Sequence, residues 1–135
     1  MPAIPWNEKY NVHVDQIDQQ HQKLIDILNE FYETLRTKQS KDATAKILSQ
    51  LLDYTKYHFT MEENLTRSYG YPGYLHHKKL HDDFVQKVAD AIARLQQGKL
   101  VLPIEVGNLA RDWLISHIMV VDKELGAFLN NNGLR

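Results

Sequence analysis

The sequence predicts an all-α protein: an antiparallel, up-down-up-down four-helix bundle with an extended N-terminal arm. Three observations carry that reading. Four stretches repeat apolar residues at alternating spacings of three and four, the pattern of one buried helix face. Short segments rich in glycine, proline or small polar residues separate them, and helices joined by short loops run antiparallel to their neighbours. No segment sustains the alternation of apolar and polar residues that a strand requires.

Residues 1–16 contain two prolines and few periodic apolar positions, which reads as an arm laid over the bundle and anchored by Trp6 and Tyr10. The bundle spans residues 17–130. Its first helix carries Ile17, His21, Leu24, Leu28, Phe31 and Leu35 on one face. Ser40, with Asp42 behind it, starts the second, since a hydroxyl cap and an early acid both suit the positive end of the helix dipole. Leu48, Leu51, Thr55, His58, Glu62 and Leu65 form its inner face, which runs to about Arg67. Two glycines and a proline in Ser68-Tyr69-Gly70-Tyr71-Pro72-Gly73 then end it. Tyr74, His77, His81, Phe84, Val88, Ala91 and Leu95 line the third helix, which stops at Gly98. Pro103 suits the first position of the fourth, with Val106, Ala110, Trp113, Leu114, His117 and Val121 facing inward and Asn130 to Gly133 marking its end.

At 135 residues, 43% of them hydrophobic, the chain has the length for one domain, residues 1–135, around one core. A net charge of -1 with interspersed signs offers no basic face for nucleic acid or an anionic membrane. The lack of cysteine excludes disulfides, thiolate catalysis, iron-sulfur clusters and zinc-finger sites, so any metal must be held by nitrogen and oxygen. Met1-Pro2-Ala3-Ile4-Pro5-Trp6 has neither a charged leader nor an apolar run, and no segment approaches the roughly 20 apolar residues of a membrane span. A cytoplasmic chain is expected. No long apolar stripe is left beyond the inner faces, which favours a monomer.

The inner faces are where the chemistry lies. His58 and Glu62 are four residues apart, about 40° around a helix axis, so both point the same way. Alone, such a pair is an ordinary buried histidine bonded to its neighbour. Here every other helix also carries donors on its apolar face: His21 on the first, His77 and His81 on the third, His117 on the fourth. Each unpaired polar group in a core costs roughly 1 to 3 kcal/mol, so six of them need something to bind. One tetrahedral zinc takes four donors and would strand the rest, which argues for two metals. Asp122 could supply a second bridging carboxylate, but five residues after His117 it stands about 140° away on an ideal helix. Either Asp122 is not a ligand, or the helix ends or bulges between Ile118 and Val121. His13 precedes the periodic region and His76 is one residue off the inner face, so both are expected to face solvent. Glu63 is read as solvated or as a partner standing behind a ligand.

Taken together, these residues resemble the hemerythrin family, specifically its single-domain bacterial members. The match covers His21 within Asp18-Gln19-Gln20-His21-Gln22, His58-x-x-x-Glu62, His77-x-x-x-His81 and His117-x-x-x-x-Asp122, in order and spacing over nearly the whole chain. The resemblance implies a non-haem centre of two iron ions bridged by Glu62, Asp122 and an oxo or hydroxo group. One iron would take His77, His81 and His117. The other would take His21 and His58 and keep one position vacant, where dioxygen binds in the family as hydroperoxide. Leu24, Phe59, Trp113, Leu114 and Ile118 match positions around the family's oxygen pocket, although core packing explains each one equally well alone. One departure is visible: His13 stands where the family often has glycine.

The expected function is reversible dioxygen binding for storage, delivery or buffering, with an oxygen-consuming enzyme as a possible recipient. Five imidazoles and two carboxylates leave the metals less electron-rich than the Glu-x-x-His sites of ferritin-like oxidases, and no Glu-x-x-His occurs here. No dedicated acid, base or substrate pocket is evident, so the chain is not read as an enzyme. The alternatives are oxygen or redox sensing through a partner, and oxidase or peroxidase chemistry at the same irons. Imidazole suits zinc and iron alike, so a zinc-filled site or a buried polar core stands as the bland reading.

Overall fold

The computed structural model describes residues 4–98 and 102–135. The first three residues of the expected arm and positions 99–101 of the link before Pro103 lie outside these. Helix α1 spans Asp15–Arg36, α2 Lys41–Ser68, α3 Tyr74–Gln96 and α4 Pro103–His117, and a five-residue π turn, Ile118–Asp122, leads into α5, Lys123–Asn131. Because the backbone stays helical at Ile118, Asp122 and Lys123, α4, the π turn and α5 form one rod. The molecule is thus a four-helix bundle, with no strand among the described residues. Each helix packs on its neighbours in sequence, and α1 packs on α4 to close the bundle. No described helix is long and apolar enough to cross a membrane.

The helix ends follow from local chemistry. Ser40 Oγ accepts from the Ala43 amide at 3.1 Å, and Pro103 opens α4 where its missing N–H removes nothing. At the end of α2, Gly70 takes a left-handed φ of 67°. The Gly70 and Tyr71 amides then fold back onto the carbonyls of Arg67 and Thr66. The start of α1 is less regular. It begins at Asp15, two residues before the expected position, with no side-chain cap at Val14. Instead the Asp18 carboxylate accepts from the Val12 and His13 amides at 2.8 and 3.1 Å, tying the arm to the first turns of α1.

The arm lies on the bundle as expected, but it contains a short 3-10 turn at Glu8–Tyr10. Asn29 grips its first part through both backbone groups of Ile4, at 2.7 and 2.8 Å. Trp6 and Tyr10 meet edge to face at 5.4 Å and pack on the main core. That core gathers Leu24, Leu28, Phe31, Leu48, Leu51, Phe59, Phe84, Leu114 and Ile118. A second, smaller apolar cluster joins Val12, Val14 and Ile17 to Leu125 and Leu129. On α1, His21 lies between Ile17 of the second cluster and Leu24 of the first. On the fourth rod, Asp122 lies between Leu125 and Ile118 in the same way. A polar layer therefore crosses the bundle between two apolar ones.

Candidate metal centre

Seven side chains fill that layer: His21, His58, Glu62, His77, His81, His117 and Asp122, all buried. Each arrives because it occupies an inward position of its helix. Asp122 requires the π turn to do so. In the π turn the hydrogen bonds run from i to i+5, so the backbone gains one residue in a single turn and position i+5 returns to the face of position i. Asp122 is 1% exposed, whereas Val121, expected on the inner face, is only partly buried. The inward positions of this rod are thus Ala110, Leu114, His117, Asp122, Leu125 and Leu129.

The two carboxylates divide their oxygens. Glu62 Oε2 lies 2.8 Å from His58 Nε2 and 3.5 Å from His21 Nε2, while Oε1 lies 2.9 Å from His77 Nε2 and 3.5 Å from His81 Nε2. Asp122 Oδ2 faces His21 Nε2 at 3.0 Å, and Oδ1 faces His117 and His77 at 3.1 and 3.2 Å. Two donor sets result, sharing both carboxylates. One holds Glu62, His77, His81, His117 and Asp122; the other holds His21, His58, Glu62 and Asp122.

This arrangement fits cations. His21 Nε2, His58 Nε2, Glu62 Oε2 and Asp122 Oδ1 are buried without a hydrogen-bond partner, and His81 Nε2 and His117 Nε2 confront one another at 3.1 Å. Buried polar atoms are normally satisfied; these four aim at shared points, while the outer Nδ1 atoms of His21 and His77 are also without a partner. The outer nitrogens of two other imidazoles are held by neighbours. His58 Nδ1 donates to Gln20 Oε1 at 2.7 Å, and His81 Nδ1 donates to Glu63 Oε2 at 2.9 Å. Each bond fixes the tautomer and turns the Nε2 lone pair into the centre.

Electrostatics agree. Burial disfavours charge throughout the layer, yet at His21 the facing carboxylates of Asp122 and Glu62 outweigh it and raise the imidazole from 6.5 to about 9. The same two carboxylates raise His77 to about 10 against burial. At His81 burial is again outweighed, by Glu62 and Glu63, and the shift is upward. His58 moves down, because burial dominates there. Burial opposes ionisation of Glu62, but His58, His21 and His77 hold it well below the ordinary carboxylate range. Asp122 is lowered too, by His117 and His21 against burial and the charge of Glu62. Without metal, protons on imidazoles balance the two carboxylates.

Aromatic rings wall one side of the layer. Phe59 stacks on His81 at 3.7 Å between centroids, and Trp113 stacks on His117 at 4.4 Å. Leu24, Leu114 and Ile118 are fully buried in the same apolar cluster, with Trp113 partly buried against it. His13 and His76 are exposed and stand apart from the centre. Gln20 is the functional-looking residue that the sequence reading left unassigned. It sits one position before His21, and its role depends on α1 lying beside α2, which no periodicity within α1 reveals.

A helical bundle that turns five imidazoles and two shared carboxylates inward defines a protein built to hold cations in its core. The family model for the hemerythrin HHE cation binding domain matches residues 12–129, and the chain belongs to the hemerythrin family. It is 33% identical over 118 residues to the bacteriohemerythrin of Stenotrophomonas maltophilia, covering 87% of this chain and 76% of that one. With the bacteriohemerythrin of Methylococcus capsulatus it shares 30% identity over 131 residues, 96% of this chain and 99% of the relative. A crystal structure of wild-type hemerythrin superposes with a TM-score of 0.87 at 30% identity, covering 94% of this chain and 98% of that chain.

Proposed function

We propose that this protein binds dioxygen reversibly at a non-haem di-iron centre and serves in oxygen storage, delivery or buffering rather than as an enzyme. One observation carries the reading: each carboxylate gives one oxygen to each of two donor sets, and the sets are unequal, with five donors against four. Glu62 and Asp122 would each offer one oxygen to either iron. His77, His81 and His117 would hold one iron and His21 and His58 the other, which would have one protein donor fewer and so room for dioxygen. Two ferrous ions held there would supply the two electrons that dioxygen takes up on binding and returns on release.

The protein's own part is to hold, orient and protect. The Gln20 and Glu63 hydrogen bonds keep two imidazoles turned inward. Leu24, Phe59, Trp113, Leu114 and Ile118 set apolar groups against one side of the layer, and an apolar wall discourages the water-assisted loss of reduced oxygen. A donor set of five imidazoles and only two carboxylates favours binding over turnover. The proposal includes a cytoplasmic monomer with an oxygen-consuming enzyme as recipient; the lack of a long apolar stripe beyond the inner faces supports the monomer.

The test is optical and analytical. Protein isolated from its natural source is expected to carry two irons per chain. The ferrous form should gain a visible charge-transfer band in air and lose it on deoxygenation. Conversion to a permanently ferric form in one exposure, or zinc in place of iron, would count against the proposal.

A further inference from the structure

We propose that Glu63 is a positioning residue that feeds negative charge through His81 into the five-donor half of the centre, and that Lys78 moderates it from the surface. The inference rests on the two-metal reading above. The two donor sets have unlike outer partners. On the four-donor side, His58 Nδ1 donates to the carboxamide of Gln20, a neutral acceptor, at 2.7 Å. On the five-donor side, His81 Nδ1 donates to a carboxylate, Glu63 Oε2, at 2.9 Å. A carboxylate acceptor makes the far nitrogen of an imidazole a stronger donor, which favours the more oxidised state of a metal bound there. The halves are therefore unequal in electron supply as well as in ligand number.

Glu63 is placed to be adjusted from outside. Its side chain is 16% exposed while the imidazole it serves is 1% exposed. A cleft between α2 and α3, lined by Lys56, Thr60, Glu63, Lys78 and Asp82, opens onto it. Lys78 Nζ stands 3.8 Å from Glu63 Oε1 but only 2.9 Å from Asp82 Oδ2, so Asp82 holds most of its attention and the screening of Glu63 is partial. Phe59 lies flat on His81 and fixes the ring plane independently of the hydrogen bond. Exchanging the acceptor should therefore alter charge without displacing the ligand.

Two substitutions with opposite signs test this. Glu63→Gln keeps an acceptor oxygen and removes the charge; Lys78→Gln keeps Glu63 and removes its screening. In anaerobic, mediator-assisted redox titrations of the iron-loaded protein, Glu63→Gln is expected to favour the ferrous state by at least tenfold, about 59 mV upward for a one-electron couple. Lys78→Gln is expected to shift the midpoint downward. In the zinc-loaded protein, the His81 Nδ1–H proton resonance should move upfield in Glu63→Gln, as the hydrogen bond weakens. Variants that carry two irons and titrate with the wild type, with that resonance unmoved, overturn the inference alone. A wild-type chain that takes up no metal overturns the two-metal reading, and this inference with it.

Discussion

Asp122 Oδ1 lies 3.1 Å from His117 Nε2, although the two residues are five positions apart on one continuous helical rod. The inward positions of that rod run 110, 114, 117, 122, 125, 129. Their spacings are four, three, five, three and four, and the five marks one residue inserted into an otherwise regular helix. Val120, 58% exposed, is the inserted position that packs least. Deleting Val120 restores a spacing of four between His117 and the aspartate, which an ordinary α-helix carries on one face. The deletion variant is expected to keep its helical circular dichroism, unfold cooperatively and still take up two metals per chain. Asp122→Ala, with the backbone intact, should lose at least one. Loss of folding on deletion would show that the π turn is required by packing around it, beyond its effect on register.

Imidazoles that answer a buried carboxylate should be far more costly to remove than exposed ones. His77→Ala takes from Glu62 Oε1 its nearer imidazole and from Asp122 Oδ1 one of two, and His117→Ala takes the other from Asp122 Oδ1. Breaking a buried ionic pair by removing one member costs about 3 to 5 kcal/mol, so both variants should melt well below the parent even without metal. Both are also expected to lose metal uptake. His76→Ala, at an exposed position off the donor layer, should match the parent in melting temperature and metal content.

Much of this centre is legible in the residues because inward-facing polar groups are so expensive that a repeating apolar face interrupted by histidine already signals a ligand. His21, His58, His77, His81 and His117 all occupy seam positions that an unbroken period of three and four assigns. Asp122 does not, since the ideal period turns it away and only a departure from that period brings it in. Nothing in Ile118-Met119-Val120-Val121 dictates a π turn by propensity; the turn satisfies the packing of Leu125 and Leu129 and the position of Asp122 at once. Gln20 was hidden for a different reason. Its partner His58 is 38 residues away, and adjacency of α1 and α2 is a tertiary fact. The close approach at Gly107 is of the same kind, since a Cβ there would stand 2.1 Å from the Phe31 ring.

The charge balance of the layer makes the metal-free protein sensitive to alkali. His21 and His77 have imidazoles raised to about 9 and about 10 in the fold, against an ordinary 6.5. Groups raised on folding contribute stability that is fully present below 6.5 and is lost as pH climbs through the raised values. Glu62 and Asp122 are lowered, so their contribution is present above the ordinary carboxylate range and fades on acidification. The metal-free chain should therefore melt highest in mildly acidic buffer and progressively lower from pH 6.5 to about 10. Metal ligands must shed their protons, so loading at pH 7 is expected to release protons, measurable with an indicator dye in weak buffer. A flat melting profile between pH 6.5 and about 10 would contradict the balance described here.

The joint between arm and bundle carries local strain that a single substitution should relieve. His13 adopts a left-handed φ of 66° while exposed, its amide bound to Asp18 and its carbonyl to Asn130 Nδ2 at 2.9 Å. Both bonds are made by the backbone, so the imidazole contributes nothing that glycine would lose. A side chain in the left-handed region costs roughly 1 to 2 kcal/mol, partly offset in a glycine variant by the greater freedom of its unfolded chain. His13→Gly is expected to raise stability by about 0.5 to 1 kcal/mol in urea unfolding and to leave metal uptake unchanged. The opposite holds a few ångströms away, where a Cβ at Gly126 would meet the Val12 carbonyl oxygen at 2.3 Å. That oxygen belongs to backbone pinned by Asp18, so it cannot swing aside as a side chain would. Gly126→Ala should therefore push the arm off α5, exposing Val12 and Val14 and lowering stability by about 1 to 3 kcal/mol.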